Sequence, residues 1–312
     1  MFLRDVYYLV KPAVPRPVRA ALRSSLATRV RRRAAGSWPI CAEAGRTPAS
    51  WPGWPGGKRF AFVLTHDVEG RRGLDRCRAL AQLEMDLGFR SSFNFVPEGE
   101  YETPQSLRSF LNDRGFEVGV HDLHHDGKLY RSRKTFDRHA TRINHYLKMW
   151  DAVGFRSGFM LHELDWLHQL NVSYDASTFD TDPFEPQPDG MNTIFPFWVS
   201  RGASGYVELP YTLAQDSTLF LVLREQAIDV WIRKLDWIAE RGGMALVNVH
   251  PDYVSFNRTP GRSEYNVEFY EGLLTYVRTR YANDAWFALP RDIARHVRTH
   301  RAHSTSAERC IP

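Results

Sequence analysis

The sequence predicts an α/β domain of barrel type, and three observations carry that expectation. From about residue 60 to 289, short apolar strand-like runs alternate with segments of helical period. Three of the strands, far apart in the chain, run into imidazoles and carboxylates. FAFVLTH leads to His66, Asp67 and Glu69; FEVGVH opens the cluster HDLHHD; MALVNVH ends in His250, Pro251 and Asp252. A barrel gathers such strand ends on the carboxyl face of its sheet. At 312 residues the chain is also long enough to bury a full core as one large domain.

The elements follow in order. Residues 17–34 carry Val18, Leu22, Leu26 and Val30 at four-residue spacing among arginines, the pattern of a short basic amphipathic helix. Residues 36–58 are dense in Gly and Pro and read as a connection, with Trp38, Trp51 and Trp54 predicted to lie against the barrel. The barrel is expected over 59–290, after a leader at 1–35 and a linker at 36–58, and a basic tail follows at 291–312. Within it the pattern predicts strands at 60–66, 91–96 and 116–121, with helices near 75–87 and 106–114 between them. A helix over 132–153 precedes a short strand closed by Arg156, a helix over 161–170 and a strand ending at Asp175. The long loop 178–192, interrupted by Pro183, Pro186, Pro188 and Gly190, is the expected wall of a substrate groove. Strand-like runs at 195–199 and 206–209, a helix over 225–241, the strand 244–250, a helix near 264–281 and a last strand at 286–289 complete the alternation. No internal repeat is visible.

Composition narrows the class. The apolar fraction of 43% and mean hydropathy of -0.43 exclude an integral membrane chain. Cys41, Cys77 and Cys310 are odd in number and widely spaced, which argues against a disulfide framework and for a reducing compartment. The amino-terminal MFLRDVYYLVKP is cut by Arg4, Asp5, Lys11 and Pro12, so secretion by an apolar signal is not expected and a cytoplasmic location is. Of the net charge of +5, residues 1–35 supply nine Lys or Arg against Asp5 alone. That basic stripe would pack on the barrel or rest on an anionic membrane surface. Nucleic acid is disfavoured because no aromatic platform accompanies the arginines.

His121 and His125 are four residues apart, with Gly127 just beyond to permit a sharp turn, and imidazoles so placed can face one metal ion. A polar surface loop would explain the cluster equally well were it alone. The acids and imidazoles at the two other strand ends favour a site.

With these residues in view, positions 59–290 resemble the polysaccharide deacetylases of the NodB homology type. That family's first motif, commonly TFDD, corresponds to Thr65, His66, Asp67, Val68 and Glu69, similar to a DVE variant; on a strand, i and i+2 share a face, so both acids can address one ion. Its HxxxH motif is similar to His121 and His125, leaving His124 outside. Its third motif, RSPY or RAPF, aligns with Arg156, Ser157, Gly158 and Phe159, with glycine where proline is usual. The fourth motif's acid is open between Asp165, Asp180 and Asp182. The fifth matches Leu246 and His250.

The resemblance implies a distorted (β/α) barrel and metal-dependent removal of N-acetyl groups from a saccharide or lipid-linked glycan precursor. It assigns Glu69, His121 and His125 to a divalent ion, zinc by default, with Co, Ni, Mn or Fe also suited to such ligands. Asp67 becomes the general base held by Arg156, and His250 the acid that protonates the departing amine. Phe159, Trp166, Phe179 and Trp198 are candidates to stack on sugar rings. Two other readings stand beside it: hydrolysis of another amide, such as a ureide or formamide, and an inactive barrel that binds glycans.

Overall fold

In the computed structural model, residues 26–307 are described, apart from Pro188 and Ala203. Most of the basic leader and Cys310 therefore lie outside the described residues. The sheet is built from β1 (Phe60–Val68), β2 (Ser92–Phe95), β3 (Glu117–His121), β4 (Gly154–Arg156), β5 (Tyr174–Asp175), β6 (Phe197–Arg201), β7 (Ser204–Glu208), β8 (Met244–Asn248) and β11 (Ala285–Ala288). The short strands β9 (Val254–Ser255) and β10 (Tyr265–Asn266) pair separately. The helices are α1 (Arg71–Asp86), α2 (Gln105–Asn112), α3 (Arg133–Trp150), the single turn α4 (Leu164–Leu167), α5 (Asp229–Arg241), α6 (Glu268–Tyr281) and α7 (Pro290–Ala307).

The strands run in the order β11-β1-β2-β3-β4-β5-β7-β6, with β8 on the other side of β1, and every pair except β6 with β7 is parallel. Closure is irregular. The segment after β7 makes only isolated bridges, Tyr211 to Phe179 on one side and Leu213 to Val247 on the other. Those two bridges join the ends of the curled sheet and make a distorted (β/α) barrel.

Strand alternation divides the core in two. Phe60, Phe62 and Leu64 of β1 pack outward under the helices, while Ala61 and Val63 face the barrel interior with Met244 and Leu246 of β8. Each fully buried Phe or Leu of this kind contributes about 1.5–3 kcal/mol. The same alternation carries the interior file of β1 from Ala61 and Val63 to Thr65 and Asp67. His66 therefore points outward, where its ring bonds Glu84 of α1 at 2.7 Å and the Val249 carbonyl at 2.9 Å.

Several boundaries differ from the sequence expectation. The helix expected over 161–170 is one turn, because Phe159 and Met160 are taken into left-handed backbone, φ 59° and 52°, directly before it. Residues 290–307, expected to be largely a tail, are helical, and Ile293 and Ala294 are buried against the barrel. The linker tryptophans do lie on the barrel: Trp54 Nε1 donates to the Gly242 carbonyl at 2.7 Å, Trp51 meets Phe195 at 5.3 Å, and Trp38 meets Phe184 at 5.1 Å. At the described end of the leader, residues 26–33 are helical, with Ala27 buried, Leu26 exposed and Arg31 paired to Glu225. Cys41 and Cys77 are buried free thiols. Among the described residues, no helix is long and apolar enough to cross a membrane.

Candidate metal and acid-base site

The carboxyl ends of β1, β3, β4 and β8 converge on one cluster. Asp67, next to last on β1, is 2% exposed and accepts hydrogen bonds on both oxygens. Asn94 Nδ2 donates to Oδ1 at 3.0 Å, Asn248 Nδ2 to Oδ2 at 2.8 Å, and Arg156 Nη1 lies 3.3 Å from Oδ1. Burial opposes ionisation here, but the charge of Arg156, then of His121 and His250, outweighs it and holds the carboxyl well below its ordinary range. Arg156 is itself wholly buried and tied to Thr65 Oγ1 at 2.9 Å and the Ala176 carbonyl at 2.7 Å, so it cannot swing away.

Glu69 stands one residue past the end of β1. Its Oε1 lies 3.3 Å from His125 Nε2 and 3.8 Å from His250 Nε2, and its Oε2 accepts from the Tyr253 hydroxyl at 2.7 Å. Burial raises its pKa, yet the contacts with His125, His250 and Tyr253 win and bring it to about 2.

His121 closes β3 with Nδ1 on the Arg156 carbonyl at 3.1 Å, which fixes the ring and turns Nε2 inward. Two left-handed residues, Asp122 at φ 56° and His125 at φ 52°, then fold the chain back sharply enough to bring the second imidazole beside the first, ring centres 4.8 Å apart. The glycine found in place of proline has a reason. A Cβ at Gly158 would stand 2.8 Å from both His125 Cδ2 and Asp122 Oδ2, so the bare backbone admits the returning loop. Phe159 stacks on the other face of His125 at 4.6 Å. His124 points away, to the Glu98 carbonyl.

The donor set fits a cation. The ligand atoms of Glu69, His121 and His125 lie within 4.8 Å of one another. Nε2 of His121 and Nε2 of His125 are buried with no hydrogen-bond partner, which is costly for imidazoles unless something else occupies that lone pair. Two imidazoles and a carboxylate are ordinary ligands for zinc and its neighbours in the first transition row.

His250 follows β8 and presents Nε2 to the same space, 3.5 Å from Asn248 Nδ2. Behind it, Asp216 accepts from Nδ1 at 2.6 Å and from the His250 backbone N–H at 2.9 Å. Burial alone would lower the imidazole's pKa; Asp216 chiefly, with Glu69 and Asp67, raises it to about 10.

Of the three acids left open by the sequence, none performs this service. Asp165 is exposed on α4, Asp180 is paired with Lys234 of α5, and Asp182 bonds Tyr211. The orienting acid is Asp216, which sequence reasoning missed; it caps the π-helical turn Ser217–Val222 in a stretch with no recognisable pattern. Asn248 was missed although findable, since it lies two residues before His250 on the same strand face. The aromatic candidates divide as well. Only Phe159 touches the cluster; Phe179 is fully buried in the barrel, Trp166 packs on Tyr130 and Phe136, and Trp198 lies under Arg301.

The loop 178–192 brings a second group of acids to the rim. Asp182 Oδ2 and Glu185 Oε1 stand 2.8 and 2.7 Å from the Tyr211 hydroxyl, and Gln215 Nε2 donates to Glu185 Oε1 at 2.5 Å. Burial and the neighbouring Glu185 push Asp182 up to about 8, and burial raises Glu185 too.

No family model matches the chain, and no curated protein matches it in sequence. Solved structures do share the fold. One, provisionally named a polysaccharide deacetylase, from Mycobacterium smegmatis, has a TM-score of 0.63 at 20% identity and covers 82% of this chain and 96% of its own. Another, the Puue allantoinase, has a TM-score of 0.59 at 15% identity and covers 80% of this chain and 94% of its own. The barrel described above is thus the fold shared by these two structures, as the sequence resemblance implied.

Proposed function

We propose that the protein is a metal-dependent hydrolase that removes N-acetyl groups from a saccharide, free or lipid-linked. The observation that carries this reading is the pair of buried, unpartnered imidazole nitrogens beside the Glu69 carboxylate, flanked by an ionised Asp67 and a protonated His250.

Amide hydrolysis needs an activated water, a stabilised oxyanion and a proton for the amine. A divalent ion held by Glu69, His121 and His125 would supply Lewis acidity, polarising the carbonyl and lowering the pKa of water towards about 7. Asp67 takes up the proton of the attacking water. Its Oδ2 receives one short hydrogen bond, from Asn248, and keeps a lone pair on the side of His121, 4.0 Å away. Arg156, Asn94 and Asn248 keep it ionised and aimed. We assign Glu69 and not Asp67 to the ligand set because a Glu69 carboxylate oxygen groups with a ring nitrogen of each of the two histidines within 4.8 Å. His250 gives its proton to the departing amine from Nε2, with Asp216 holding Nδ1 and stabilising the charged ring.

A second reading, hydrolysis of a different amide such as a ureide, is supported by the likeness in fold to an allantoinase. The test is hydrolysis of a panel of N-acetylated sugars, ureides and formamides, read as acetate released, as the ring-opened acid formed and as formate released, with and without chelator. The panel includes lipid-linked sugars carried in anionic vesicles, because contact of residues 17–34 with such a surface belongs to the same proposal. Chelator-sensitive acetate release supports the first reading, and chelator-sensitive ring opening of ureides or formate release from formamides, without acetate release from the sugars, supports the second. Activity that survives full removal of metal overturns both.

A further inference from the structure

We propose that Asp252 and Tyr253 are positioning residues for the metal ligand Glu69, holding its backbone and its side chain so that only one carboxylate oxygen is left to meet a cation. The inference rests on the reading of Glu69, His121 and His125 as a metal site.

Glu69 is the ligand that most needs such help. It lies beyond the last residue of β1, where no strand pairing fixes it, whereas His121 still belongs to β3. The segment after β8 replaces the missing ladder. Asp252 Oδ2 accepts from the Glu69 backbone N–H at 2.9 Å, and Asp252 Oδ1 accepts from the Gly73 N–H at 3.0 Å. One carboxylate thus ties the end of β1 to the first turn of α1, where backbone N–H groups have no partner within the helix. A side chain at 73 would overlap that carboxylate, so glycine is needed there for the approach.

Tyr253 completes the hold. Its hydroxyl donates to Glu69 Oε2 at 2.7 Å, which leaves Oε1 as the atom facing His125 and His250. The clamp is itself anchored: Arg76 Nη1 donates to the Pro251 and Asp252 carbonyls, and its Nη2 pairs with Glu264 at 2.5 Å. His250, Asp252 and Tyr253 therefore belong to one short segment that Arg76 anchors. Groups that bond a ligating side chain from behind typically govern metal affinity by about 10–100-fold.

The experiment is competition for zinc between the metal-free full-length protein and a fluorescent chelator, with thermal unfolding of the metal-free form as the fold control. Tyr253→Phe removes one oxygen and nothing else; it is expected to weaken zinc binding by about 10–100-fold with the unfolding temperature of the metal-free protein unchanged. Asp252→Asn, which must turn its NH₂ towards one of the two N–H groups, is expected to weaken binding at least as much. His124→Ala serves as a control that binds as wild type does. Tyr253→Phe binding zinc as tightly as wild type overturns the clamp, whether or not Asp252→Asn folds. Wild-type protein that takes up no zinc overturns the metal site, and the clamp with it.

Discussion

Asp67 with Glu69, and Asp182 with Glu185, are two pairs of carboxyls on the same rim of the barrel, the aspartates buried and the glutamates half-buried, and their surroundings treat them in opposite ways. Arg156, His121, His125 and His250 stand around the first pair, and their contacts overcome the penalty of burial and hold both carboxyls below their ordinary range. Around the second pair the hydrogen-bond partners are Tyr211 and Gln215, which carry no charge, and burial prevails. Geometry leads to the same conclusion without any titration. The Tyr211 hydroxyl has one proton and touches a carboxyl on each side, so one of those carboxyls must itself be the donor. Residue type therefore does not decide charge on this rim; the neighbours do. An ionised pair suits proton uptake and cation binding, while a pair that shares a proton through Tyr211 fastens the loop 178–192 to the barrel. The two are joined by a polar chain, since Asn248 bonds both Asp67, at 2.8 Å, and Gln215, at 3.4 Å.

The largest break in the contrast comes from Arg156→Met. The replacement fills similar space without charge and leaves Asp67 as a buried anion whose nearest cation is gone. Losing one partner of such a pair costs about 3–5 kcal/mol. Urea unfolding near neutral pH should show that loss, and a fall of under about 1 kcal/mol would mean that Arg156 is not what keeps Asp67 charged. Smaller, and confined to chemistry, is the effect of separating the two acids of the first pair. Asp67→Asn should keep its metal and lose turnover about a hundredfold or more on whichever substrate of the panel responds. Glu69→Gln should lose metal affinity first and recover part of its activity with excess ion. Metal content of the two purified variants settles the roles: an empty Asp67→Asn beside a loaded Glu69→Gln would exchange them.

The first pair was legible in the sequence and the second was not, for a physical reason. Asp67, His121 and His250 stand at the ends of short apolar runs, so each announces both a strand and the end at which it delivers a side chain. The same rule, applied once more, would have found Asn248. Asp216 and His250 are 34 residues apart, and their partnership depends on how a turn without a pattern packs against the end of β8. Nothing local marks it. Asp182 and Glu185 sit in a loop rich in proline, where the sequence shows that the chain is irregular but not which side chains it buries. Gly158 is a middle case: the departure from the expected proline was visible, and its cause, the close approach of His125, needed three dimensions.

The finest test of the contrast is the pH dependence of stability in Asp182→Asn. A carboxyl whose pKa is about 8 when folded and near 3.8 when unfolded holds a proton in the native state that the unfolded chain has already released. Between those values the unfolded state binds fewer protons, so this group's contribution to stability is full below about pH 4 and is lost as the pH rises through about 8. Asp67 and Glu69 work the other way and are finished above pH 4.5, since their native pKa values lie below the unfolded ones. His250, raised to about 10, begins to matter only above pH 6.5, where its stabilisation starts to fade. In the window from pH 4.5 to 6.5 Asp67, Glu69 and His250 change little, while His121, lowered by burial, titrates in both proteins alike. Buried acids distant from the substitution, Glu117 among them, still titrate there, but they are common to both proteins and cancel in a difference; Glu185, which shares Tyr211 with Asp182, does not, so the difference reports the pair. Urea unfolding of wild type and Asp182→Asn, with chelator present throughout, should give a stability difference that shifts steadily against the wild type as pH rises. The slope cannot exceed about 1.4 kcal/mol per pH unit for a single proton. A difference that stays constant across the window would mean that Asp182 is ionised in the native state and that Glu185 is the carboxyl that donates to Tyr211.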